Sequence, residues 1–287
     1  MEIDVHPNWE KLTFASLAGV TLIIGAPDTG KSTFARYLYH RLCEYHERVG
    51  FIDGDMGQAT LGPPTTMTLA LNKPGDDAFP PTGPRYCTFV GDITPRGHML
   101  PTLVGAHRLV QKAREKGATA IIFDTTGLVS PAQGGGELKR AKIDLLRPAT
   151  VIGMQRADEL EHLLLPLRLS ARTRVIDLPV SRAARRREFP IRREHRTAQF
   201  RHYFADARPL EVEWQRLAVF PTQAFTLHRL VALEDKEGFT LALGIVTSSD
   251  LNTIVLHTPF STLDEVNAIR LSDLELDPHS FRESRPR

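Results

Sequence analysis

The chain has 287 residues, 41% hydrophobic and 24% charged, with 36 basic against 34 acidic side chains and a formal net charge of +2. That size and balance fit one full α/β domain plus a small second unit, and the near-neutral total carries no general signal for nucleic acid. No run of 18 apolar residues exists, Met1-Glu2-Ile3-Asp4 lacks the basic and apolar parts of a signal peptide, and only Cys43 and Cys87 are present. A membrane span, a disulfide framework and a cysteine metal site are thereby excluded, and a cytoplasmic location is expected.

Met1 to Gly19 reads as a short lead-in. Val20 to Ile24 is a β-branched, apolar strand; Thr33 to Leu42 carries apolar residues at helical spacing; between them stands Gly25-Ala26-Pro27-Asp28-Thr29-Gly30-Lys31-Ser32. This is the phosphate-binding pattern G-x-x-x-x-G-K-[ST] in its required strand–loop–helix setting. Gly25 and Gly30 allow a tight turn whose N–H groups point inward, and a helix N-terminus adds its dipole. Lys31 is placed to reach the β- and γ-phosphates and Ser32 to hold Mg²⁺, so the chain is expected to bind a nucleoside triphosphate.

A second strand, Val49 to Ile52, ends in Asp53-Gly54-Asp55. Gly62 to Pro84, rich in Pro, Gly and Thr, reads as an irregular excursion. Arg85 to Val90 is a strand, and His98 to Lys116 a helix with an apolar stripe of Leu100, Leu103, Val104, Leu109 and Val110. Ala120 to Phe123 is a buried strand ending in Asp124. Helices follow at Glu137 to Leu146 and Ala157 to Leu165, with strands at Thr150 to Met154 and Val175-Ile176. The alternation predicts a mainly parallel sheet with helices on both faces, ligands sitting at the carboxyl ends of the strands. Past residue 206, Phe225 to Leu233, Thr240 to Thr247 and Asn252 to Leu256 alternate as strands of a small β-rich domain. The predicted division is 1–206, including an arginine-rich segment at about 181–204, and 207–287.

Two carboxylates close strands next to the phosphate loop. Asp124 stands in the Walker B position, suited to a metal ion. Asp55 is suited either to the metal or to taking a proton from an attacking hydroxyl; both aspartates equally suit loop capping, and their roles stay open. Thr125-Thr126-Gly127 and Gly134-Gly135-Gly136 suit either a second anion or a plain loop and helix cap. From Arg182 to Arg201 there are eight arginines in twenty residues, with Arg192 and Arg196 on one helical face and Phe189, Phe200, Tyr203 and Phe204 as anchors. Such a cluster fits a phosphotransferase lid that neutralises developing charge. Asp92, Arg96 and His98 flank one Pro-Gly turn, which suits either a substrate wall or an ordinary surface turn.

Together these residues resemble the polynucleotide 5′-hydroxyl kinase family, relatives of the kinase subunit of the pre-messenger-RNA cleavage factor and of ribosomal-RNA processing kinases. The resemblance runs through Gly25 to Thr33, Asp53-Gly54-Asp55-Met56-Gly57-Gln58, Gly91 to Pro95, Asp124 to Gly127, Arg192 to Arg196 and Arg201-His202-Tyr203-Phe204. It implies transfer of the γ-phosphate of ATP or GTP to the 5′-hydroxyl end of RNA or DNA, with Mg²⁺. By it, Asp55 engages the metal and activates the hydroxyl, Lys31 and Ser32 hold triphosphate and metal, and Arg187, Arg192 and Arg193 belong to the closing lid. Thr125 and Thr126 form the clasp on the strand end, and Gln58, Asp92, Arg96, His98 and Arg196 complete the substrate side. Leu128 stands where eukaryotic members have a tryptophan that stacks on the terminal base. The competing classes are a partitioning-type ATPase, which usually has a lysine at the position of Ala26, and a small-molecule kinase, which has no use for so many arginines.

Overall fold

The structure is a computed structural model that describes residues 5–181 and 189–285. They form two compact units: Met1–Asp55, Met67–Tyr86 and Met99–Arg187 make the first, and Met56–Thr66, Cys87–His98 and Glu188–Arg287 the second.

The first unit opens with a one-turn helix, α1 (Pro7–Glu10), whose Trp9 packs edge-on against Phe34 at 5.1 Å. The run Val20 to Ile24 becomes the core of β1 (Gly19–Gly25), almost wholly buried. Burial on both faces is what a central parallel strand requires and explains the absence of polar alternation. The loop then leads into α2 (Lys31–Cys43), which buries Phe34, Leu38, Tyr39 and Leu42. Next come β2 (Val49–Gly54), β3 (Thr66–Leu71), β4 (Arg85–Phe89), α3 (Met99–Glu115), β5 (Ala120–Thr125), α4 (Gly135–Leu146), β6 (Thr150–Gln155), α5 (Glu161–Ser170) and β7 (Arg174–Pro179). The strand order is β4-β3-β2-β5-β1-β6-β7. β1 lies between β5 and β6, and its pairings and those of β2 with β5 and β6 with β7 are parallel. This is the expected doubly wound sheet, with the order reversing around the strand that carries the phosphate loop.

Two local expectations change. The stretch 62–84 contains β3, antiparallel to β2 and buried at every position. Pro and Gly crowd both of its flanks and mask the six-residue Thr-Met-Thr-Leu-Ala-Leu core. In α3, Leu100 is 75% and Val104 50% exposed, and the buried face is instead Thr102, Gly105, Ala106, Leu109, Val110 and Ala113. Small residues let this helix lie close to its neighbours, so its packed side is its least apolar-looking one.

The second unit begins earlier than the change of composition near 207 suggests, because α6 (Phe189–Tyr203) belongs to it. Its strands are β8 (Arg208–Val212), β9 (Ala218–Phe220), β10 (Arg229–Glu234), β11 (Thr240–Ser249), β12 (Ile254–Thr258), β13 (Ala268–Leu276) and β14 (Glu283–Ser284). They form the order β14-β13-β10-β11-β12-β8, with β9 added to β13. Alternation along β10 and β11 sorts the two faces. Leu230, Ala232, Leu243 and Ile245 pack with Phe200 and Phe204 of the α6 segment, while Val231, Leu233 and Val246 pack with Val212, Leu256 and Ile269. Phe200 and Phe204 are therefore anchors as expected, joined by Tyr203, whose hydroxyl accepts the Leu243 N–H at 2.8 Å. Phe189 is not one: it is 72% exposed.

Candidate functional site

The phosphate loop follows directly from β1. At Gly25 a Cβ would lie 2.6 Å from the Met154 carbonyl and 2.7 Å from Thr29 Oγ1, so only glycine lets the loop leave the strand at this angle. Thr29 Oγ1 donates to the Ala26 carbonyl at 3.0 Å, and Lys31 Nζ donates to the same oxygen at 2.8 Å. The amine thus lies folded along the loop that is to hold an anion. Burial holds the Lys31 pKa below its ordinary value, against the pull of Asp124, Asp55 and Asp28. A desolvated amine gains most when a phosphate arrives. Arg156, at the end of β6, closes the outer side by donating to the Asp28 carbonyl at 2.6 Å.

Three carboxylates gather at the ends of β2 and β5, and their environments separate them. Asp53 and Asp124 are register partners on the adjacent parallel strands. Asp124 is 3% exposed, and burial pushes its carboxyl up to about 7, opposed by Lys31 and by a hydrogen bond with Ser32. Its Oδ1 is buried without a hydrogen-bond partner. A buried carboxylate oxygen without a hydrogen-bond partner, next to a serine hydroxyl, is a donor set of the hard-oxygen kind, and Ser32 with Asp124 fits Mg²⁺ by that chemistry. Among the described residues no group of three or more His, Cys, Asp or Glu forms an all-protein metal cage. Asp53 is buried and accepts the Asp55 N–H at 3.2 Å, fixing the turn out of the strand. Asp55 alone of the three is partly exposed.

Thr125 and Thr126 are held from beneath by a residue that sequence reasoning missed. Lys139 is fully buried in α4, and its Nζ donates to Thr125 Oγ1 and to the Thr126 carbonyl, each at 2.7 Å. Thr125 Oγ1 in turn donates to the Ile23 carbonyl at 2.8 Å. Burial, reinforced by Lys142 and Lys31, keeps the Lys139 pKa well below that of an ordinary lysine. Lys142 is also buried, its ammonium 4.5 Å from the Phe123 ring centre. A signal existed: Lys139 and Lys142 fall on the same helical stripe as Leu138, Ile143 and Leu146. Gly127 then meets the phosphate loop, since a Cβ there would lie 2.8 Å from the Pro27 nitrogen. The chain Lys139–Thr125–Gly127–Pro27 thus braces one wall of the nucleotide loop.

The remaining expected residues that the structure describes lie in the second unit. Gln58 Nε2 donates to the Arg192 carbonyl at 3.3 Å, and the His195 ring lies 3.4 Å from the Ala59 carbonyl, so the Gln58–Ala59 stretch and the arginine helix are tied together within the second unit. Asp92 is wholly buried: its Oδ1 accepts the Thr94 N–H, and its Oδ2 receives Arg285 at 2.6 Å with His98 3.6 Å away. His98 also meets Asp273 at 3.1 Å. Arg196 is buried against Glu283, with N–O distances of 3.1 and 2.6 Å. Asp92 and Arg196, expected on the substrate side, have their polar atoms in internal contacts, and a framework role is what this placement supports. Arg96 is exposed on its turn, as is Arg193 on α6. Arg187 lies outside the described residues.

A parallel sheet whose central strand enters a G-x-x-x-x-G-K-S loop, with a buried aspartate on the adjacent strand, defines a P-loop nucleotide-binding protein. The family model for the mRNA cleavage and polyadenylation factor CLP1 P-loop matches residues 25–206. The chain belongs to that family. It is 29% identical over 216 residues to the polyribonucleotide 5′-hydroxyl-kinase of Methanocaldococcus jannaschii, covering 75% of this chain and 58% of the relative. To the polyribonucleotide 5′-hydroxyl-kinase of Pyrococcus furiosus it is 32% identical over 204 residues, 71% of this chain and 56% of that one. The chain therefore spans somewhat over half the length of these curated relatives. The solved structure of a wild-type Clp1p–Pcf11p complex matches with a TM-score of 0.68 at 13% identity, covering 93% of this chain and 77% of that one, a likeness of fold. No helix among the described residues is long and apolar enough to cross a membrane.

Proposed function

We propose that this protein is a polynucleotide 5′-hydroxyl kinase, transferring the γ-phosphoryl group of ATP or GTP to the 5′-hydroxyl end of RNA or DNA. The observation that carries the reading is the division of labour among the strand-end carboxylates: one buried with an unsatisfied oxygen beside Ser32, one partly exposed at the rim. Asp124 with Ser32 suits Mg²⁺, which when bound would screen the charge of the phosphates. Asp55, reached by solvent, suits the acceptor side. Its carboxylate takes the proton of the 5′-hydroxyl as that oxygen bonds to the γ-phosphorus, and the bond from γ-phosphorus to the bridging oxygen breaks to release the nucleoside diphosphate.

Lys31 is the charge that follows the transferring group. Desolvated and folded onto the Ala26 carbonyl, it exchanges one weak neutral acceptor for phosphate oxygens. Arg192, with Arg187, supplies the guanidiniums proposed to neutralise the same group, while Arg193 faces a cavity beside α6. At the strand end Thr126 offers its hydroxyl more readily than Thr125, whose Oγ1 is occupied by Ile23 and Lys139. The identity to archaeal kinases of this name supports a polynucleotide acceptor over a small molecule.

The test is one labelled-triphosphate assay on 5′-hydroxyl RNA, 5′-hydroxyl DNA and free nucleosides. Wild-type protein should label the polynucleotides, and Lys31→Ala and Asp55→Ala should each lose transfer, with Asp55→Ala still binding nucleotide. Retained transfer in Asp55→Ala would refute its role as base. Labelling of nucleosides alone would refute the polynucleotide reading.

A further inference from the structure

We infer that α6 and the β13–β14 loop of the second unit form a separate oxyanion site that grips backbone phosphates of the polynucleotide strand away from its reacting end. The inference rests on the polynucleotide reading above and adds a site outside the phosphate loop and its carboxylates.

A cavity of about 460 Å³ opens here, lined by Arg193, Glu194, Thr197 and Arg201 of α6 and by Ser280 and Arg282 of the loop. Arg193, Thr197 and Arg201 recur every fourth residue and so share one helical stripe. Over two turns that stripe is about 12 Å long, more than one phosphate needs and suited to successive phosphates of a strand. All three arginines are exposed, and among the described residues Arg201 and Arg282 have no carboxylate partner. Only Glu194 brings negative charge to the wall. Guanidiniums gathered in one concavity repel each other unless an anion lies between them.

The framework beneath them is rigid. Glu283, the nearest acidic residue in the chain after Arg282, is spent internally on buried Arg196, which leaves the rim cationic. Phe281 stacks on Phe204 with rings 7° from parallel and 6.0 Å apart. Asp277 accepts the N–H groups of His279 and Ser280, and the Asp277 N–H donates to the Arg282 carbonyl at 3.2 Å. The Ser280 side chain is itself bonded to Asp277, so the loop presents Arg282 to the helix stripe in a fixed arrangement. Two bidentate donors and the Thr197 hydroxyl on a fixed frame match phosphodiester oxygens without reading base identity.

The experiment is anisotropy of a labelled 5′-hydroxyl oligoribonucleotide, titrated between 50 and 200 mM salt, for wild type, Arg201→Ala/Arg282→Ala and Arg201→Lys/Arg282→Lys. A phosphate contact on a single strand contributes a slope of about −0.7, so losing two contacts should make the alanine variant about sevenfold less salt-sensitive over this range. The lysine pair should keep most of the wild-type slope. Single Arg201→Gln and Arg282→Gln variants should each show about half the effect and guard against misfolding of the double variant. A wild-type slope in the alanine and glutamine variants overturns the site. So does loss of inorganic phosphate binding with the oligonucleotide slope unchanged, which would mark a pocket for a small free anion. Failure of the kinase reading would show separately, as absence of transfer by the wild-type protein.

Discussion

Lys142 offers a quantitative test of how the floor of the nucleotide site is built. Its ammonium is buried in α4 and faces the Phe123 ring at 4.5 Å, and burial lowers its pKa from 10.5 to about 8. At about 1.4 kcal/mol per unit, the charged form is disfavoured by roughly 3 kcal/mol in the folded state. A desolvated cation over an aromatic face returns up to about 2 kcal/mol. Lys142→Met, which keeps the volume and removes the charge, should therefore stabilise the first unit by about 1 kcal/mol or more at pH 7. The sign across pH follows from proton binding. Between pH 8 and 10.5 the unfolded chain holds more protons at Lys142 than the folded one, so its penalty in the wild type is relieved as pH rises. The advantage of the variant should shrink across that window. Tyr39 and Tyr203, whose pKa values burial raises well above this window, ionise near its upper end only in the unfolded chain, and being common to both proteins they cancel in the difference. Trp9 lies in the first unit and Trp214 in the second, so urea titrations followed by Trp9 fluorescence in a Trp214→Phe background isolate the relevant transition. A difference between Lys142→Met and wild type that stays constant from pH 7 to 10.5 would refute the reasoning.

Two further changes probe the wall and the frame. Gly127→Ala places a methyl 2.8 Å from the Pro27 nitrogen and should displace the phosphate loop, weakening a fluorescent ATP analogue about five- to thirtyfold for one to two kcal/mol of strain, with far-UV circular dichroism unchanged. Unaltered affinity would show that the two loops move together. Arg196→Met strands the buried Glu283 carboxylate and should destabilise the second unit by about 3 to 5 kcal/mol, read from Trp214 fluorescence; adding Glu283→Leu should restore most of the loss. A double variant as unstable as the single would mean that the ion pair is not what the substitution disturbs.

Much of the architecture was legible because its signals are local. The phosphate loop needs glycine and lysine at set spacings, and β1, β2, β5 and β6 are short apolar runs, of which β2 and β5 close on Asp53 and Asp124. β3 and β13 were not legible. The first is flanked by Pro and Gly, and the second, Ala-Ile-Arg-Leu-Ser-Asp-Leu-Glu-Leu, interleaves charge because its residues alternate between faces of a sheet that only β10 completes. α3 misled for a related reason: small residues face the neighbouring elements, and Leu100 and Val104 are left outside.

At the site, sequence alone determined that Gly25 to Ser32 form a loop of the phosphate-binding pattern and that carboxylates stand beside it, since backbone geometry and charge dictate which residue types such a loop tolerates. It did not sort Asp53, Asp55 and Asp124, because a carboxylate's protonation depends on what surrounds it in space. Nor did it foretell the burial of Lys139 and Lys142: their place on the apolar stripe of α4 is visible in the sequence, but residue type assigns lysine to the surface. Only the tertiary structure decided that these amines lie buried beneath Thr125 and Phe123, and that Asp92 and Arg196 neutralise partners far along the chain. Burial and charge pairing are properties of three-dimensional proximity, and the order of residues encodes them only through the fold.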